Sequence, residues 1–304
     1  MSSTVDIGID LGTTNSVAAV MENGRPVVIK NMESDVTPSF VGIDSQGQVL
    51  TGKPAMNLCK YEPENVADGF KRQLGHGQTW RFPANGQSYS AVNLAAFLLR
   101  DIRQAISEHI NSEPDASVIT VPAAFGEVEK HAVVLSAREA GFTQVTLVQE
   151  PVAAGLAYGW QKKSEGKPFL VYDFGGGTFD AALMECAGGQ LIVRANSGEH
   201  TLGGRDLDRD ILDKLILPQI AGRVDPASLT AARRRLLWKC EDAKIRLSRS
   251  ASAIVSLEGC VWSVSGAPLV DALTITRADY EPLVIPFVDR TIEIVLRLIS
   301  QAGL

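Results

Sequence analysis

Apolar residues cluster in short runs at two places in this chain, and the two places match. Val5 to Ile9 is an apolar run closed by Asp10, and Ser16 to Met21 and Pro26 to Ile29 flank Asn23-Gly24. The pattern predicts a buried strand, a tight turn and a hairpin, since Asn-Gly between apolar runs is the strongest short hairpin signal. Far along the chain Phe169 to Tyr172 repeats the strand, and Ala181 to Cys186 and Leu191 to Ala195 repeat the hairpin around Gly188-Gly189. The segments that follow the two strands also correspond: Asp10-Leu11-Gly12-Thr13-Thr14-Asn15 and, 163 positions on, Asp173-Phe174-Gly175-Gly176-Gly177-Thr178-Phe179-Asp180. A repeated strand, turn and hairpin predicts two similar lobes.

Between and beyond the copies the period changes. Val36 to Phe40 is extended by its proline and leads to a polar hairpin around Asp44 to Gln48. Leu94, Leu98, Ile102, Ile106 and Ile110 recur every four residues and predict a helix, closed by turn residues Asn111 to Asp115. Val118 to Val121 reads as a buried strand ending at Pro122, and Glu127 to Ala140 as a helix stopped by Gly141. Val145 to Val148 is a further strand, and Glu150-Pro151 opens a helix whose Ala153, Ala154, Ala157 and Gly159 admit close packing. Gln161 to Pro168 is a polar loop. His200 to Asp208 is a Gly-Gly turn entering a helix to about Ile220. A helix through Leu237 to Leu247, a strand from Ala253 to Leu257 and a helix from Tyr280 to Ile299 follow. Residues 40–114 and 222–276 read as insertions into the two lobes, 1–180 and 181–304. A lobe mirroring the first is expected to continue past the last helix, so the second reads as incomplete at Leu304.

Composition changes the picture little. With 304 residues, 45% hydrophobic and 21% charged, the chain can bury two cores. Its net charge of −6 argues against a general nucleic-acid binder, and Arg233-Arg234-Arg235 reads as a solvated helix face. Cys59, Cys186, Cys240 and Cys260 lack zinc or redox spacing, and His76, His109, His131 and His200 lack ligand spacing. Met1 to Thr4 carries no basic segment and no apolar core, so a cytoplasmic protein with reduced thiols and no membrane segment is expected.

The two turns carry the candidate chemistry. Glycine lets the backbone approach a phosphate and turn its N–H groups onto the oxygens, and Thr13, Thr14 and Thr178 add hydroxyl donors. Carboxylates beside a phosphate repel it unless a divalent cation intervenes. Asp10, Asp173 and Asp180 therefore point to Mg²⁺ carrying several waters.

These residues resemble the ATPase lobe of the 70-kDa heat-shock chaperones, within the actin-like ATPase superfamily. The resemblance rests on five motifs in order: Ile9 to Ser16, Val121-Pro122-Ala123, Glu150 to Gly159, Tyr172 to Asp180 and Leu202-Gly203-Gly204-Arg205-Asp206. Lys71 to Phe82, with Trp80-Arg81 after a short Gly-His-Gly loop, looks closer to a divergent bacterial branch of the HscC type. The resemblance implies an α/β fold of duplicated ribonuclease-H-like lobes and ATP hydrolysis by in-line attack of water, with ATP or ADP and Mg²⁺ as the bound groups. It implies Lys71 beside the terminal phosphate, and Glu150, Asp173, Asp10 and Asp180 as carboxylates that orient water and cation. It implies that Asp10 and Asp173 would hold Mg²⁺ through water, and it leaves proton acceptance open among Asp180, Glu150 and Asp173. Gly12, Thr13, Thr14, Asn15, Gly175, Gly176, Gly177 and Thr178 match the phosphate contacts, as do Gly203 and Gly204. Glu241, Lys244 and Ser248 fall on the ribose and base side.

The resemblance also implies J-domain and nucleotide-exchange partners and a separate peptide-binding domain. Departures touch each end of this picture. Ile245 replaces an arginine that lies against the base in the family, and Ala124, Gly126-Glu127 and Leu147 alter the surface used by partners. The alternatives are a nucleotide-dependent scaffold with little turnover, a filament-forming actin relative, and a sugar kinase, for which no sugar-binding acid is nominated.

Overall fold

Ile7 and Ile9 turn into the core while Gly8 and Asp10 face out, the period of a half-buried strand. This strand, β1 (Ile7–Asp10), leads through the turn at Gly12 to β2 (Asn15–Glu22) and β3 (Arg25–Val28). Asn23 and Gly24 both take positive φ, 50° and 76°, as a two-residue hairpin turn requires. The computed structural model describes residues 6–158, 166–188 and 190–304. Met1 to Val5, Gly159, the loop from Gln161 to residue 165 and Gly189 of the second hairpin, all singled out in the sequence, lie outside the described residues.

The chain continues through β4 (Thr37–Pro38), β5 (Phe40–Ile43), β6 (Val49–Thr51), α1 (Gly52–Leu58), β7 (Val66–Asp68), β8 (Thr79–Arg81) and β9 (Ser88–Ser90). The hairpin at Asp44 is closed by its own carboxylate, which accepts from the N–H groups of Gln46 and Gln48. Helix α2 (Ala91–Ile110) starts at a reciprocal cap between Ser90 and Asn93 and ends at Asn111 in the left-handed region. Its predicted stripe, Leu94, Leu98, Ile102 and Ile106, is buried. Next come β10 (Ala116–Val121), α3 (Glu127–Glu139), β11 (Gln144–Gln149) and α4 (Glu150–Tyr158). β12 (Pro168–Phe174), β13 (Phe179–Ala187) and β14 (Gln190–Glu199) form an antiparallel sheet in that order.

The larger sheet runs β11-β10-β1-β2-β3, with β4 also on β2. β10 is parallel to both β1 and β11, whereas β1, β2 and β3 form an antiparallel meander. Only local turns are needed for the meander, while the parallel strands need the helical crossover α3. β5 pairs with β6 and β7 in a separate three-stranded sheet. One core joins Ile9, Leu11, Val20, Phe70, Leu98, Ile119, Val133 and Phe142.

By compactness this material, up to His200 and with Val295–Leu304, is one unit and Thr201–Ile294 another. The second unit contains α5 (Gly204–Asp210), a π-helical turn Ile211–Ile216, α6 (Leu217–Ile220), α7 (Pro226–Leu247), the antiparallel pair β15 (Ser252–Ser256) and β16 (Ala272–Thr276), and most of α8 (Arg277–Gln301). α7 begins ahead of the Arg233–Arg235 face and the Leu237–Leu247 stretch read from the sequence, where Asp225 accepts from the Ser228 N–H and Pro226 suits the first turn. Its own core gathers Ile211, Leu212, Ile216, Leu236, Cys240, Ala243, Val255 and Ile275. The fold is thus mixed α/β, with all four cysteines buried and unbridged.

Candidate functional site

The turn after β1 is held open by its surroundings. Ser39 Oγ donates to the Gly12 carbonyl at 2.7 Å, the Ser39 N–H donates to the Thr14 carbonyl at 2.8 Å, and Ser16 and Ser39 share a buried hydroxyl contact at 3.0 Å. A methyl on Gly12 would lie 2.0 Å from the Asn15 carbonyl, so no larger residue fits this turn. The turn after β12 closes with the Gly175 N–H on the Thr178 carbonyl at 3.0 Å. The two turns meet edge to edge: a methyl on Gly176 would lie 2.1 Å from Thr14 Oγ1, and one on Gly177 would lie 2.6 Å from Thr13 Cγ2. The glycines are required because threonines occupy the space their side chains would need.

Lys71 stands in a short helical turn, Phe70–Gln73, that follows Gly69 in the left-handed region and is anchored by buried Phe70. Glu150 is the first residue of α4, at the end of β11. The two meet with Nζ 2.5 Å from Oε1, and the ammonium also lies 6.0 Å from the Phe125 ring centroid. Lys71 is 4% exposed, so its charge is desolvated and paired.

These elements line a single cavity of about 480 Å³ with the two glycine turns, Lys71, Glu150, Asp10 and Asp173 on its walls, a size ordinary for a small-molecule site. Ala153, Ala154 and Ala157 of α4 form a smooth wall, while Gly155 on the same helix packs against Met184 and Leu191. Asp180 is buried behind the cavity and accepts from the Ala124 N–H at 3.3 Å. Thr14 Oγ1 is buried without a protein hydrogen-bond partner, a donor left for a ligand to satisfy.

Burial pushes the Glu150 carboxyl up, against the opposing pull of Lys71, and Asp10 and Asp180 raise it further. Asp173 opens to the cavity, yet partial desolvation and then the charges of Asp180 and Asp10 also raise it. Burial raises Asp180 in turn, opposed by the Ala124 N–H and Lys71. Carboxyl groups raised by burial, and less by one another, form a site whose charge a cation would balance. Among the described residues no three His, Cys, Asp or Glu side chains converge to bind a metal alone. The residues fit a cation held largely through water and phosphate oxygens, as Mg²⁺ is.

Comparison with protein families matches residues 6–304 to the family described as Hsp70 protein. The chain belongs to the Hsp70 family. Hsp70 proteins in general bind ATP and ADP, hydrolyse ATP and work with co-chaperones and client peptides. Among the described residues no helix of this Hsp70 chain is long and apolar enough to cross a membrane.

Two residues of this Hsp70 site escaped the sequence reading. Thr120 Oγ1 donates to Asp10 Oδ1 at 2.7 Å, and Ser39 braces the first turn. Thr120 could have been noticed as the hydroxyl in the otherwise apolar run Val118 to Val121. The parallel register Ile9 to Ile119 sets it beside Asp10.

The remaining predicted residues belong to the second unit. Gly203 caps α5, and its N–H donates to Asp206 Oδ2 at 3.1 Å. Lys244 on α7 donates to the Gly204 carbonyl at 2.8 Å and lies 2.7 Å from Asp208 Oδ1. Glu241 is half-buried on the same helix, Ser248 ends it, and Ile245 is 59% exposed. Asp208 is a further residue that the sequence reading passed over.

Proposed function

We propose that this chain is the nucleotide module of an Hsp70-type chaperone and hydrolyses ATP with Mg²⁺ bound. The observation that carries the reading is the single cavity on which two glycine-threonine turns, Lys71 and the carboxylates Asp10, Asp173 and Glu150 converge. In this reading Gly12, Thr13, Thr14 and Asn15 and Gly175, Gly176, Gly177 and Thr178 present N–H and hydroxyl donors to phosphate oxygens, with Thr14 Oγ1 gaining the partner it lacks. Asp10 and Asp173 would hold Mg²⁺ through water, and the cation when bound neutralises charge developing on the phosphates. Lys71, kept in place by Glu150, supplies a fixed positive charge where negative charge grows. Asp180 is shielded behind the cavity and Glu150 is engaged with Lys71, so Asp173 is the better placed acceptor of the water proton.

The meanders β1-β2-β3 and β12-β13-β14, each with a glycine turn between its first two strands, support a duplicated actin-like fold. Gly203, Gly204, Glu241, Lys244 and Ser248 are proposed as nucleotide contacts of the second unit. Coupling of turnover to peptide release, with J-domain and exchange-factor partners, a cytoplasmic setting and the HscC branch complete the proposal.

A second reading, a nucleotide-dependent scaffold with little turnover, is favoured by Ile245, which offers the base an apolar cover in place of a cation. Calorimetric titration with ADP and ATP, with and without Mg²⁺, combined with phosphate-release kinetics separates the two. Micromolar binding with release abolished in Lys71→Ala supports the ATPase. Binding without release points to the scaffold, and no binding by folded protein overturns both.

A further inference from the structure

A second cavity, of about 320 Å³, shares only Asn15 with the one between the glycine turns. Its walls come from the chain reversal after β3, from β4, from α1 and from Asp101 of α2. Most of the lining is apolar, with Met32, Val36, Pro38 and Met56 in it. Methionines are unbranched and polarisable, so such a wall adapts to the shape of what it holds.

The reversal is built against its own preference. Asn31 and Ser34 exchange main-chain hydrogen bonds at 2.9 and 3.1 Å, and between them Met32 and Glu33 both take positive φ, 48° and 65°. Asn-Gly suits such a turn, as at Asn23-Gly24, whereas Met-Glu is strained in it. Packing in the fold does not repay the strain, because Met32 is 65% exposed at the cavity.

Two charged groups stand in the same lining. Asp101 accepts from the Asn31 side-chain N–H on Oδ2 at 2.7 Å, and among the described residues its carboxylate has no further partner. Lys53 is exposed, and among the described residues its ammonium has no partner. One carboxylate oxygen and one ammonium are therefore left to a ligand.

We propose that this cavity binds a small zwitterion with an apolar side group, a free amino acid or a short peptide. Its ammonium meets Asp101, its carboxylate meets Lys53, and its side group lies against Met32 and Met56. A simple anion would be repelled by Asp101, and an uncharged apolar molecule would strip water from that carboxylate without replacing it. The volume is at the small end of the range for ligand sites. The site does not rest on the nucleotide reading.

Nuclear magnetic resonance of isotopically labelled methionine methyl groups in the whole chain tests the proposal. The five methionines are Met1, Met21, Met32, Met56 and Met184, and of these Met32 and Met56 line the cavity. L-leucine and L-leucyl-leucine are titrated separately. Saturable shifts at Met32 and Met56, with Met21 and Met184 unmoved, are expected from at least one of them, and the tighter binder tells a free amino acid from a short peptide. Isocaproate, which lacks the amine, and isoamylamine, which lacks the carboxylate, should each bind about tenfold more weakly, the size of one lost charge-assisted contact. Asp101→Asn and Lys53→Gln should weaken the zwitterion by the same factor. Met32→Asn combined with Glu33→Gly suits the turn, so it should melt higher and yet bind several-fold more weakly. No saturable shift at Met32 or Met56 in folded protein overturns the proposal. So do affinities that ignore the loss of either charge, whether from the ligand or from the protein.

Discussion

Lys71 and Glu150 stand 79 positions apart in the chain, yet their charged atoms are 2.5 Å apart in a largely buried contact. The pair joins a short turn on one side of the cavity to the start of α4 on the other. Burial still leaves the Glu150 carboxyl raised, so desolvation outweighs the attraction of the lysine.

Lys71→Met is expected to lower the rate of ATP hydrolysis by at least ~100-fold, the size of losing one fixed charge aimed at a transition state. Because the folded Glu150 is raised above its unfolded value of 4.5, it contributes most favourably at low pH and costs stability above its folded pKa. Removing Lys71 deepens that cost. The loss in urea midpoint should be larger at pH 8 than at pH 5, and an equal loss at both would show that Glu150 is not the group left unpaired.

Gly176→Ala and Gly177→Ala are each expected to spread the two turns, since the added methyl meets Thr14 Oγ1 at 2.1 Å or Thr13 Cγ2 at 2.6 Å. Overpacking of this kind costs about 1–3 kcal/mol. Gly8→Ala, with nothing within 4 Å of the new methyl, is the control. Thermal denaturation and ADP titration of all three variants check the ordering, which fails if Gly8→Ala is the most damaging.

Asp10→Asn and Thr120→Val should both weaken the Mg²⁺ dependence of nucleotide binding, the first by removing a carboxylate and the second by releasing its orientation at 2.7 Å. Losses of about 10- to 100-fold are usual for partners of metal-orienting groups. ADP affinity measured in chelator should barely change. A loss of the same size with and without Mg²⁺ would place both residues on the phosphates instead.

Asp208 shifts from 3.8 to about 6, so the folded protein holds this proton more tightly than the unfolded chain. Its contribution to stability is best below pH 3.8 and becomes a cost of about 3 kcal/mol once pH has risen past 6. Lys244→Met leaves that carboxylate buried without its ammonium. The variant is expected to be strongly destabilised at pH 7.5 and much closer to wild type at pH 5. Denaturant midpoints across this range test it, and a pH-independent difference would refute the assignment.

Ile245→Arg places a guanidinium where the base side of the nucleotide is proposed to lie. A cation–π contact contributes about 0.5–2 kcal/mol, so ADP should bind roughly 2- to 30-fold more tightly. Ile245 is 59% exposed and the melting temperature should hold. Unchanged affinity would move the base away from this residue.

The strands, hairpins and glycine turns were legible because their causes are local. Period-two alternation, Asn23-Gly24, the cap at Gly141 and the stripe from Leu94 to Ile106 act within a few residues of themselves. The π-helical turn at Ile211–Ile216 and the early start of α7 were not read from apolar spacing. The first depends on burial of Ile211, Leu212 and Ile216 against other elements, and the second on a cap rather than on apolar periodicity.

By itself the sequence determined which residue types were available for phosphate and cation chemistry, and the repeated turns in which they stand. Only tertiary structure decided their partners. Thr120 reached Asp10 across 110 positions through the parallel register of β1 and β10, and Ser39 reached the Gly12 carbonyl across 27. Lys71 met Glu150, and Lys244 met Asp208, in places dry enough for burial to govern the carboxyl groups. Turn chemistry is encoded in neighbouring residues, whereas charge pairing and desolvation depend on distances that exist only after the elements have packed.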